Sequence, residues 1–125
     1  MNQPSELSNN IEPLVDFSYV EELGGGKPDF VKQVLSIFME NTPPGLKELE
    51  AFVQSGRSWD KISKQAHFLK SSVGIVKVRD MHKRLQQIES LAREKKEKET
   101  IKKVLAEIVE TFSEAEKIIL ARMEQ

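Results

Sequence analysis

The chain of 125 residues contains no cysteine, which rules out both a disulfide scaffold and a thiolate metal site. It has only two histidines, His67 and His82, and neither sits in an HExxH pattern that would hold zinc on a helix. Neither sign of charge dominates. The 19 basic and 20 acidic residues leave a net charge of −1, which lacks the basic excess of a nucleic-acid binder. No apolar run is long enough for a transmembrane helix, so no membrane insertion is expected. The opening MNQPSELSNN carries Glu6 as its single charge, unlike a signal or transit peptide, and the expected location is the cytoplasm. Glycine is sparse, and the one cluster, GGGK at 24–27, lacks the flanking spacing and following Ser/Thr of a phosphate loop. No ATP site is therefore expected, and no cofactor or metal. Strand signals are also scarce, with few alternating runs and only one tyrosine and one tryptophan.

What remains is helical periodicity. At this length about two-thirds of the unfolded surface can be buried, enough for one core. Residues 1–13 carry Pro4, Pro13 and a Ser/Asn cluster and are expected to form a flexible lead-in to one domain over 14–125. Asp16 can cap a short helix through Phe17, Val20 and Leu23 that stops at Gly24-Gly25-Gly26. Pro28 starts a second helix to about Asn41, whose apolar residues span about 200° of the wheel, more than one core-facing stripe requires. The excess surface is either covered at the end of a bundle or docks a partner. Thr42-Pro43-Pro44 predicts a stop and restart, and a third helix then runs to Gly56. Further helices follow from Ser58, from near Arg79-Asp80, and from about Ile101 to Met123, with the alternating charges of Arg93–Glu99 as a solvated helix end and turn. The expected fold is all-α: an antiparallel up-down four-helix bundle with two short N-terminal capping helices.

The helix from Ser58 to Val76 contains the anomaly. Trp59, Ile62, Ala66, Leu69, Val73 and Val76 form its core stripe, and His67 lies about 140° from the centre of that stripe. Around it on the wheel are Asp60, Ser63, Lys64, Lys70, Ser71 and Gly74, a clearing of small residues flanked by cations. A plain solvated histidine is one explanation. A metal role fails for want of ligands, and a Ser-His-acid hydrolase fails because Ser63 and Ser71 lie on the same helix with no oxyanion arrangement.

The string Ala66-His67-Phe68-Leu69-Lys70-Ser71-Ser72 resembles the A-H-x-L-K-G-S signature of histidine-containing phosphotransfer (HPt) domains. The stretch Val15–Val20, Gly25-Gly26 and Phe30 through Phe38 is similar to the N-terminal helices of that family, so the likeness extends over residues 15 to about 120. It implies a phosphocarrier in a multistep phosphorelay of a two-component system. His67 would accept a phosphoryl group and exchange it with a receiver-domain aspartate of a response regulator or hybrid sensor kinase. The alternative is a helical adaptor that docks a receiver or kinase without carrying phosphate. A phosphatase has less support, because no general base for water is evident.

The chemistry asks for one ring nitrogen with a free lone pair and the other carrying a proton held by an acceptor. In the family Nε2 attacks, and a Glu or Gln of the next helix accepts from Nδ1. The matching position is Glu89. If the chain reverses near Lys77, Glu89 and His67 lie within about 3 Å of the same level at 1.5 Å per residue. Gln86, one turn back, is the alternative, and an ordinary surface carboxylate at Glu89 is the plain reading. Lys70 would stabilise charge on the phosphoryl oxygens, with Lys64 as a second cation. Ser71 replaces the family's usual glycine beside the site, and Lys77-Val78 replaces its later small pair. Mg²⁺ would come with the partner's acidic pocket. His82 is expected to stand by, and the chain to be a monomer.

Overall fold

The computed structural model describes residues 13–56 and 58–125, so the expected lead-in lies almost wholly outside the described residues. Those residues form a mostly helical protein. A two-residue strand β1 (Val15–Asp16) leads into α1 (Ser18–Leu23), α2 (Pro28–Ser55) and α3 (Trp59–Ser72). Strand β2 (Lys77–Val78), α4 (Met81–Arg93) and α5 (Lys98–Met123) complete the chain. Helix α3 packs between α2 and α4, and α5 packs against α4 and α2, so the four longer helices enclose one core. Leu35, Leu49, Ile62, Leu69, Leu85, Ile88, Ile108 and Ile119 are fully buried within it.

The expected break at Thr42 does not occur. Helix α2 runs through Pro43 and Pro44 for 28 residues, so one short N-terminal helix precedes the long ones, not two. The reason is tertiary. Leu35, Phe38, Thr42, Leu46, Leu49 and Val53 recur every three or four residues across the prolines, and all are buried. A break would rotate the second half of this stripe away from the core. Burial contributes about 1.5–3 kcal/mol for each large apolar side chain, against about 3 kcal/mol for an interior proline. Pro44 is exposed and Pro43 half-buried, as are Glu40 and Met39, whose carbonyls the prolines cannot serve, so water can reach that side of the helix. The wide apolar arc of α2 divides accordingly: Val31, Leu35 and Phe38 are buried, whereas Phe30 and Ile37 remain exposed.

Two contacts set where α3 sits. Gly45 packs against Leu69, and Gln65 Nε2 donates to the Gly45 carbonyl at 2.9 Å. A Cβ added at Gly45 would lie 2.7 Å from Leu69 Cδ2. Gly45→Ala should therefore lower stability by about 1–3 kcal/mol, read as an earlier urea midpoint, because two packed helices must separate.

Helix α3 begins as the sequence predicts. The Ser58 hydroxyl accepts from the Lys61 amide at 3.1 Å, capping the first turn. It ends at Ser72, one turn earlier than its apolar stripe, and Val73 and Val76 reach the core from the following turn. The two short strands were not anticipated. Val15 pairs with Val78 and Asp16 with Lys77, antiparallel, which fastens the α3–α4 connection to the start of the domain. At the opposite end of α5, Arg122 pairs with Glu21 and lies 4.7 Å from the Phe17 ring centre, fastening α1. The Arg93–Glu99 stretch is the helix end and turn it was expected to be, with Lys95 and Glu97 at positive φ.

Candidate functional site

With Ile62, Ala66 and Leu69 turned into the core, α3 presents His67 on its outer side, where 64% of the side chain is exposed. Helix α4 lies alongside. It buries Met81, Leu85, Ile88 and Ala92, and its Glu89 falls next to Ile88 at the edge facing α3. The carboxylate is therefore not a surface group: its side chain is 3% exposed.

Each oxygen of that carboxylate is engaged. Oε2 lies 3.0 Å from His67 Nδ1 and 2.5 Å from the Arg93 guanidinium, one turn further along α4. Oε1 lies 2.8 Å from Lys70 Nζ. That contact is an ion pair, and the same ammonium also donates to Gln86 Oε1 at 2.5 Å. Burial by itself would push the Glu89 pKa up, but the Lys70 ammonium and the hydrogen bond from His67 outweigh it. They hold the carboxyl below its ordinary value of 4.5.

This settles the imidazole's proton by elimination. An ionised carboxylate only accepts, so the hydrogen between Glu89 and His67 belongs to Nδ1. In the neutral ring Nε2 then carries the free lone pair, on the side away from Glu89.

The other predicted residues are distributed unevenly. Gln86 reaches Lys70, and its Nε2 donates to Ser90 Oγ at 3.0 Å; it does not reach His67. Lys70 is only 17% exposed, held between Glu89 and Gln86. Lys64 stands in solvent, paired with Asp60 at 3.2 Å. Ser71 is exposed, one turn beyond His67, and its hydroxyl donates to the His67 carbonyl at a long 3.4 Å. His82 lines a different cavity with Asp16, Lys77 and Lys83. Among the described residues no group of three or more His, Asp or Glu could hold a metal ion.

A shallow cleft of about 500 Å³ opens over the imidazole, bordered by Ser63, Lys64, Phe68, Ser71, Glu89 and Arg93. Lys70 does not border it. Arg93 does, although along the chain it belongs to a solvated helix end. The signal was present: Arg93 is four residues after Glu89, the spacing at which helical ion pairs form. What could not be read was that Glu89 would be buried and would hold two cations, Lys70 and Arg93, as well as His67.

The site is thus an exposed imidazole oriented by a buried carboxylate of the neighbouring helix. The chain belongs to the Hpt domain family, whose model matches residues 33–121, from within α2 to near the end of α5. Two solved plant structures share the fold. A maize histidine-containing phosphotransfer protein superposes with a TM-score of 0.77 at 23% identity, covering 96% of this chain and 92% of that one. A rice protein described as a histidine-containing phosphotransfer protein gives 0.76 at 20% identity, covering 96% and 84%. No curated protein sequence matches the chain.

Proposed function

We propose that this chain is a phosphorelay phosphocarrier, an up-down helical bundle on which His67 Nε2 accepts a phosphoryl group from a receiver-domain aspartate and returns it to another. The observation that supports this is the 3.0 Å contact between Nδ1 and the buried Glu89, which leaves the Nε2 lone pair available.

The step balances without a proton acceptor. The Nε2–P bond forms as the acyl-phosphate O–P bond breaks, and the receiver carboxylate departs with the electron pair. Nδ1 already holds its hydrogen, and Glu89 supports the positive charge that grows on the ring. Little else is asked of the protein than alignment and charge, since phosphoryl transfer leaves charge spread over the equatorial oxygens. Lys70, one turn from His67, sets its positive charge near those oxygens from its place between Glu89 and Gln86, and Arg93 adds a guanidinium at the cleft edge. Mg²⁺ would be supplied by the partner receiver. Phe68, half exposed beside His67, offers the partner an apolar contact that excludes water.

The adaptor reading shares the docking surface but not the transfer. Incubation with a phosphorylated receiver separates them: a carrier acquires a label that is stable in base and lost in acid. A chain that binds the receiver and stays unlabelled is an adaptor.

A further inference from the structure

We infer that Ser71 is a phosphoryl ligand, its hydroxyl holding an oxygen of the group carried on His67 Nε2; this rests on the carrier reading above. The charged side chains around the cleft already have partners in the folded chain. Arg93 is held at 2.5 Å by Glu89, and Lys70 is drawn out of the cleft by Glu89 and Gln86. Lys64 is held by Asp60. The uncharged donors of the cleft are two serines, Ser63 one turn before His67 and Ser71 one turn after.

Helical side chains lean toward the helix N-terminus, so the two are not equivalent. Ser63 leans away from His67. Ser71 leans back over the turn that His67 occupies, and its hydroxyl is placed there by the contact with the His67 carbonyl. That contact, at 3.4 Å, is at the limit of a hydrogen bond, and the carbonyl belongs to a helical residue whose own backbone partner lies four residues on. Rotation about χ1 therefore gives up little, and it turns the O–H outward into the cleft. A phosphoryl oxygen arriving there is a charged acceptor, which makes the stronger bond.

Because the ligand exists only in the phosphorylated form, its effect is on how far the chain is phosphorylated at equilibrium. The probe is phosphoramidate, which labels histidine without a protein partner, with occupancy and environment read by ³¹P NMR. Ser71→Ala should lower the labelling equilibrium constant by roughly threefold to tenfold, the worth of one such hydrogen bond, and shift the ³¹P resonance. Ser71→Gly should match it, and Ser71→Thr, which keeps the hydroxyl, should resemble the parent. An Ala variant with parental occupancy and resonance would overturn the assignment, as would a change in Gly alone, which would mark the position as acting through bulk. Absence of any label on His67 in the parent chain would instead overturn the carrier reading.

Discussion

Replacing His67 by glutamine is expected to reduce phosphoryl labelling by a phosphorylated receiver to background while leaving the fold and receiver binding in place. The side chain is nearly two-thirds exposed on the outer side of α3, so no core contact is lost with it. Glutamine is close in length, and its amide can still donate to Glu89 Oε2, so the buried carboxylate is not stranded. What disappears is the lone pair. No other group in the cleft can replace it: a serine hydroxyl is a weak nucleophile without a base, and the cations beside it have no lone pair to offer. Unchanged circular dichroism with a lost label is the expected pair of results. A label that survives in His67→Gln, for example on His82, would show that the wrong residue has been named.

The second large effect is expected at Glu89. Glu89→Ala leaves Lys70 without its counter-charge in a site where it is mostly enclosed, and leaves Nδ1 without an acceptor. Both tautomers of His67 then compete and the ring can turn. A fall of about a hundredfold in labelling rate is expected from lost orientation and charge support. Glu89→Gln separates these two contributions. Its amide oxygen can still accept from Nδ1, so the rate should fall by no more than about tenfold, the part due to charge.

The same pair predicts a pH dependence. The Glu89 pKa is lowered in the folded protein, so its stabilisation is fully present above the ordinary value of 4.5 and lost as pH falls through the depressed one. The urea midpoint of the parent should therefore drop more steeply between about pH 5 and pH 3 than that of Glu89→Gln. Parallel curves would mean that the carboxylate is not held ionised by its neighbours.

Arg93 shows why some of the site escapes a linear reading. Its charge sits in an alternating run that, along the chain, looks like any solvated helix end. Only the approach of α3 to α4 makes Glu89 a shared anion for His67, Lys70 and Arg93, and that approach is set by core packing of Leu69, Ile88 and their neighbours. Lys70 escaped in the other direction. From its spacing it looked free to meet an incoming phosphate, whereas in the folded chain its ammonium already has Glu89 and Gln86 to satisfy. Glu89 was legible from the family's Glu or Gln position on the next helix, and 1.5 Å per residue on either side of one turn put it near the level of His67. Its burial was not legible, since the wheel gives direction and not depth.

Local rules determined what depends on neighbours in sequence: the Ser58 cap, the stops at Gly24 and Gly56, and the outward face of α3 with His67 on it. They also supplied the short motif around His67 and, with it, the family. Tertiary structure decided what depends on competition between distant groups. It carried α2 through two prolines, because the buried stripe from Leu35 to Val53 outweighs their local cost. It paired β1 with β2 and buried Glu89 among His67, Lys70 and Arg93. Burial and charge pairing sum over residues far apart along the chain, so no local window of the sequence contains them.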